Sequence, residues 1–159
     1  MTEVKRYHVE KNAIQGDLHI ADATIPYTKL ESNTITFIVP LQLIKDQTGL
    51  AADSTGVKYT SGKFKINTTH LKSAIIRATW TASDTDSVTA IELYDDTAAT
   101  VVGSVSGNTG TDEESSDLSA SITSGNTFVL RVNVTTASAT AGATTDVDYA
   151  VLELTYGIS

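Results

Sequence analysis

The sequence predicts an all-β protein built as a sandwich of two antiparallel sheets. Short runs of alternating apolar and polar residues recur along the chain, and clusters of Gly, Asn, Asp and Ser separate them. No segment of useful length within residues 60–159 shows helical periodicity. The chain has 159 residues, of which 40% are apolar and 19% charged, so it suits one domain with a single core.

About eight strands are expected, at residues 35–39, 64–66, 74–81, 88–94, 101–105, 118–122, 128–134 and 147–156. In the first run Phe37 and Val39 share one face, and Pro40 is expected to end the strand. In the third, Ile76, Ala78 and Trp80 share the face predicted to lie in the core. Two polar, Gly-containing stretches, residues 46–60 and 104–116, are predicted to be loops.

The chain divides into a short arm and one sandwich domain. Residues 1–23 mix charges with scattered apolar residues and are predicted to form an N-terminal arm, followed by a single domain over residues 24–159. There is no cysteine, so neither a disulfide nor a zinc–thiolate site can stabilise the domain. Stability therefore has to come from packing and assembly.

Charge and hydropathy exclude several classes of partner. The net charge of −8 argues against nucleic acid, because phosphate binding needs clustered Lys and Arg. Residues 1–80 hold ten Lys or Arg and seven Asp or Glu, whereas residues 81–159 hold one Lys or Arg and twelve Asp or Glu. No apolar run approaches the roughly 20 residues of a membrane span. Residues 1–8 lack the apolar core of a signal peptide, so we expect synthesis without Sec-type export.

The patterns that mark common catalytic sites are missing from the sequence. His8, His19 and His70 have no nucleophile motif beside them, and neither Gly-x-Ser-x-Gly, His-Glu-x-x-His nor a phosphate-binding Gly-rich loop occurs. A hydrolytic pair of Asp or Glu side chains stays open as an alternative. Most of these acids, however, lie in predicted turns, where burial would not raise a pKa for acid catalysis. We therefore expect no enzymatic activity and no organic cofactor.

Acidic residues in predicted turns offer oxygen ligands, which calcium prefers. The candidates are Asp84, Asp86, Asp95, Asp96, Asp146 and Asp148. Asp-x-Asp spacing in a loop can direct two carboxylates to one ion, but the complete calcium-loop pattern of helix–loop–helix proteins is missing. Asp is also frequent in turns because its side chain accepts hydrogen bonds from nearby backbone amides. We favour this capping role, with calcium binding as the alternative.

Two tyrosines are candidates for a ligand site or a subunit interface. Tyr94 alternates with Ile91 and Leu93, and Tyr149 shares its parity with Glu153, so both rings are predicted to point away from the core. An exposed ring can stack on a sugar, whereas a tyrosine at a strand end can also anchor a sheet edge or join a subunit contact.

Residues 75–80 (IIRATW), 91–95 (IELYD), 102–104 (VGS), 128–132 (FVLRV) and 149–154 (YAVLEL) carry a family resemblance. Together they resemble the jelly-roll modules found in virion surface and capsid proteins of phages and archaeal viruses, and in carbohydrate-binding modules. The hairpin ELYD…VGS followed by FVLRV is the closest part. The resemblance implies an antiparallel jelly-roll sandwich, and it assigns no binding residue.

These observations favour a virion structural protein, such as a capsid, decoration or other head-surface subunit. It would be made in the host cytoplasm and would act by packing against copies of itself and neighbouring capsid or surface subunits, with the arm docked on a neighbour. The alternative is a carbohydrate-binding module of a surface or fibre protein that uses Tyr94, Tyr149 and nearby acids, with or without calcium.

Overall fold

A computed structural model describes residues 35–158. The predicted arm, residues 1–23, and residues 24–34 lie outside this range. The described chain forms nine strands: β1 (Ile35–Ala51), β2 (Gly56–Thr60), β3 (Phe64–Lys65), β4 (Leu71–Ala82), β5 (Val88–Asp95), β6 (Thr100–Gly107), β7 (Thr109–Glu114), β8 (Thr127–Thr136) and β9 (Thr144–Ile158). A 3-10 turn, Ser119–Ser121, precedes β8.

The strands form two antiparallel sheets. The first sheet has the order β1-β9-β4-β7, and the second has the order β2-β8-β5-β6 with the short β3 also paired to β8. Apart from the β2–β3 connection and the β5–β6 hairpin, each step along the chain passes from one sheet to the other. The eight strands other than β3, four in each sheet, therefore have the order and connections of a jelly roll. The prediction of an antiparallel β-sandwich of this type is confirmed.

Alternation along the strands places one side of each sheet in a shared core. On β4, Ile76, Ala78 and Trp80 are completely shielded, whereas Arg77 between them is half-buried. The prediction that Trp80 fills the core is confirmed, because the ring is 1% exposed. Burying one such side chain contributes about 1.5–3 kcal/mol. The second sheet supplies Ile91, Leu93, Leu130 and Val132 from the opposite side of the core, and β9 of the first sheet adds Leu152 and Leu154.

The first strand is much longer than the sequence pattern indicated. Pro40 does not end it: the residue lies opposite Glu153 of β9, and β1 continues to Ala51. Proline is tolerated because β1 is an edge strand, where one row of backbone amides makes no ladder bond. The predicted loops 46–60 and 104–116 are also wrong in large part: the first contains the end of β1 and all of β2, and the second contains half of β6 and all of β7.

The 3-10 turn Ser119–Ser121 and its two flanking residues occupy residues 118–122, where a strand was predicted, and that prediction is wrong. Leu118 and Ile122 are both buried, but Ala120 between them is exposed. Asp117 Oδ1 accepts hydrogen bonds from the backbone amides of Ala74 and Ser119, each at 2.9 Å, and so fixes the turn against β4. Nowhere in residues 35–158 is there a helix long and apolar enough to cross a bilayer.

Candidate functional site

A carboxylate is enclosed on the outer face of the second sheet. Glu92 of β5 lies opposite Arg131 of β8, and it is only 6% exposed although its side chain points away from the core. Arg131 Nε donates a hydrogen bond to Glu92 Oε2 at 2.6 Å, and Asn133 Nδ2 donates one to Oε1 at 3.0 Å. Both carboxylate oxygens thus have partners, which offsets the cost of removing the charge from water.

Tyr94 lies on the same outer face, two residues along β5 from Glu92. The central guanidinium carbon of Arg131 is 3.7 Å from the centroid of the Tyr94 ring, within the range of a cation–π interaction. One face of the ring is therefore covered by a side chain of the neighbouring strand. Arg131 thereby joins the carboxylate and the ring into one cluster.

A second charged cluster surrounds Arg77 on the outer face of the first sheet. Arg77 contacts Glu114 of β7, its Nε lies 3.2 Å from Glu153 Oε2 of β9, and its Nη1 lies 3.7 Å from Asp112 Oδ2. Partial burial lowers the pKa of Arg77. The negative charges of Glu114, Glu153 and Asp112 raise this pKa by more, so it is raised overall. The arginine links the central strand β4 to its two neighbours.

Tyr149 belongs to the Arg77 cluster. Its hydroxyl donates a hydrogen bond to Asp112 Oδ1 at 2.7 Å. A hydrogen bond with the Thr79 hydroxyl lowers the pKa of Tyr149. The bond to Asp112 and partial burial raise this pKa by more, so it is raised overall. Tyr149 is on the outer face of the first sheet and Tyr94 is on the outer face of the second. The two rings predicted as ligand candidates therefore cannot line one shared site.

Asp95 and Asp96 lie where β5 ends and the hairpin to β6 begins. Asp95 Oδ1 accepts hydrogen bonds from the amides of Thr97 and Ala98, each at 2.9 Å, and Oδ2 accepts one from Asn126 Nδ2 at 2.6 Å. The bond from Asn126, aided by the two amides, lowers the pKa of Asp95 against the opposing effect of burial. Asp96 pairs with Lys63 at 2.6 Å.

The remaining candidate acids lie at the other end of the sandwich or along β9. Asp86 Oδ2 accepts a hydrogen bond from the amide of Ala139, and Asp146 Oδ1 accepts one from the amide of Gly49. The hydroxyl of Thr140 lowers the pKa of Asp84. Asp148 is exposed. Within residues 35–158, no three His, Asp or Glu side chains are grouped so that they could hold a metal ion.

An exposed apolar stretch at the start of β1 was not singled out from the sequence. Phe37, Ile38 and Val39 are 54%, 61% and 40% exposed. Phe37 and Val39 lie opposite Tyr156 and Leu154, on the side that faces the core farther along the strand. The second sheet therefore leaves this end of β1 uncovered. The available signal was Ile38, an apolar residue that interrupts the expected alternation.

Comparison with known proteins identifies no relative: no protein-family model, no curated protein and no solved structure matches this chain.

Proposed function

We propose that this chain is a virion structural protein, a capsid, decoration or other head-surface subunit that acts by self-assembly and packing. Its place is in the virus particle, against copies of itself and neighbouring subunits. The observation that carries this proposal is the apolar stretch Phe37–Val39 on an edge strand, with each of its three side chains at least 40% exposed. Contiguous exposed apolar surface marks an interaction site, whereas single exposed apolar residues are ordinary.

The charged clusters support a packing role over a catalytic one. Glu92 is bound by Arg131 and Asn133, and Arg77 is bound by carboxylates of both neighbouring strands. Arg77 links neighbouring strands within the first sheet and Arg131 does so within the second, so both stiffen the sandwich as a rigid body for packing. The jelly-roll strand order agrees with this role, since viral capsid domains use it, although lectin domains use it as well.

Light scattering on the purified full chain tests the proposal. We expect a particle mass that is a multiple of the 16.8 kDa chain and that rises with concentration. Removal of residues 1–23 should abolish assembly and leave the sandwich folded, if the arm docks on a neighbour. A mass of one chain at every concentration would contradict self-assembly. Normal assembly of the chain without residues 1–23 would contradict the role of the arm.

A carbohydrate-binding module is the second candidate, and the surroundings of Tyr94 favour it. Its ring lies against Arg131, which binds Glu92, and Glu92 is bound in turn by Asn133, so an aromatic surface adjoins a row of polar groups. A glycan array with and without a chelator separates the two candidates. The structural proposal expects no binding in either condition, whereas glycan binding lost in Tyr94→Ala would favour the module.

A further inference from the structure

The start of β1 lacks the features that usually protect the edge of a sheet. In the first sheet β1 is the outermost strand, and within the described residues it pairs with β9 alone. Natural edge strands are protected by charged side chains, proline or bulges. On β1 these features come late: Pro40, a bulge between Gln42 and Ile44, and the first charge at Lys45. The four residues Thr36–Val39 precede all of them.

The exposed side chains are concentrated on this stretch. Phe37, Ile38 and Val39 are consecutive, so they present apolar surface on both faces of the edge. The other large apolar side chains with comparable exposure in residues 35–158 are Val57 on β2 and Val101 on β6, which occur singly on the second sheet. The β1 edge therefore differs from the rest of the described surface.

Charge favours a second copy of the chain as the occupant of this edge. Residues 35–158 contain seven Lys or Arg and fourteen Asp or Glu, so two copies repel each other over much of their surfaces. Residues 35–44 contain no charged side chain. Two acidic molecules can approach at this segment without placing like charges opposite each other, an arrangement that destabilises paired strands.

The stretch is also complementary to itself under two-fold symmetry. If two β1 strands pair antiparallel with Ile38 opposite Ile38 of the copy, each Phe37 falls opposite a Val39. Aromatic side chains opposite β-branched ones are favourable cross-strand pairs, and this register contains two of them on one face. The four-stranded sheets of the two molecules would then join into one sheet of eight strands.

We propose that the edge Thr36–Val39 is a homotypic interface at which β1 of a second copy pairs antiparallel about Ile38. This inference rests on the proposed self-assembly and identifies one of its interfaces. Four paired residues bury less surface than an independent stable dimer needs, so the contact is concentration-dependent by itself and gains strength from multiple contacts within an assembly.

A single introduced cysteine tests the register in the full chain. The protein has no cysteine, so Ile38→Cys carries the sole thiol. Residues directly opposite in an antiparallel pair have Cα atoms about 4.5–5.5 Å apart, which lies within the range that a disulfide spans. We expect mild oxidation of a concentrated sample to give a covalent dimer. Val57→Cys and Val101→Cys are matched controls with 47% and 43% exposure on the second sheet, and they should dimerise far less.

A charge variant provides the second readout. Ile38→Lys places two like charges opposite each other, and it should lower the mass measured by light scattering, whereas Val101→Lys should not. Cross-linking of Ile38→Cys no better than that of the controls would overturn the inference. If the wild-type chain still assembled in that case, the proposed function would stand with another interface. Ile38→Cys that resists thiol labelling even in dilute monomer would also overturn it, because the chain's own residues would then cover the edge.

Discussion

At the scale of single residues, the burial of Trp80 depends on two glycines of the neighbouring segment. Trp80 Nε1 donates a hydrogen bond to the carbonyl oxygen of Gly107 at 3.2 Å, which satisfies the ring nitrogen inside the core. A side chain at Gly110 would overlap the six-membered part of the indole ring. Gly110 is therefore required for space, since the absence of a Cβ lets β7 approach the ring.

We expect Gly110→Ala to lower the free energy of unfolding by about 1–3 kcal/mol, because the added methyl group must displace either Trp80 or the β7 backbone. Chemical denaturation monitored by Trp80 fluorescence measures the change. Gly62→Ala is the control, because its new methyl group would meet no atom within 4 Å. Equal stability of the two variants would contradict the close approach of Gly110 to the ring.

Asp95 makes the hairpin end sensitive to acid. Its pKa in the folded protein is lowered, chiefly by Asn126, so the charged form stabilises the fold above the pKa of about 3.9 that Asp has in an unfolded chain. This stability is lost as the pH falls through the folded-state pKa. Asp84 and Asp117, whose pKa values are also lowered, act in the same direction.

We expect the free energy of unfolding to decline below about pH 4 and the decline to be smaller in Asp95→Asn than in the wild type. The variant should also be less stable at pH 7, because the amide nitrogen cannot accept the hydrogen bonds that both carboxylate oxygens accept. Urea unfolding between pH 2.5 and 7 measures both effects, with the exposed Asp148→Asn as the control. Identical pH profiles for wild type and Asp95→Asn would show that Asp95 contributes nothing to the acid response.

At the scale of elements, the β5–β8 pair is fastened by Glu92 and Arg131 on its outer side. Arg131→Met would leave the buried Glu92 carboxylate with Asn133 alone. We expect a loss of about 3 kcal/mol, near the lower end for buried pairs because the Arg131 side chain keeps 18% exposure. The double variant Glu92→Met with Arg131→Met should recover most of the loss. A double variant as unstable as the single one in urea unfolding would refute this account of the pair.

Strands with regular alternation were predictable from the sequence, and irregular ones were not. Residues 128–134 and 147–156 alternate continuously and fall within β8 and β9. The second half of β1 contains Gly49 and is bulged, and its strand conformation depends on pairing with β9, about 100 residues away. Leu118 and Ile122 have the even spacing of an alternating strand, but they flank the 3-10 turn Ser119–Ser121 and are both buried at its two ends, so their spacing alone did not distinguish the two structures.

For the candidate surfaces too, the sequence predicted which side chains point outwards, but it did not predict features that depend on strands far apart in the chain. Alternation predicted that Tyr94 and Tyr149 point outwards, but their positions on opposite faces follow from the sheet order. The contact of Arg131 with the Tyr94 ring depends on the β5–β8 register, for which the sequence holds no local signal. Residues 36–39 were assigned to a strand, but their exposure follows from the extent of the second sheet.

At the scale of the whole molecule, the described part of the chain, residues 35–158, combines internally paired faces with an unprotected edge at the start of β1. Arg77 and Arg131 bind acidic side chains on the two outer faces, and the core between the sheets is closed by large apolar side chains. The β1 edge is the place where apolar groups of the described chain meet solvent contiguously. This contrast favours association through β1 over association through either outer face.

Hydrogen–deuterium exchange of the full chain at two concentrations tests coverage of the β1 edge by another copy most directly. The account expects the backbone amides of Thr36–Val39 that point away from β9 to exchange slowly in the concentrated sample and faster in the dilute one, with no such change in β6 around Val101. Equal exchange of Thr36–Val39 at both concentrations, whether fast or slow, would contradict the account.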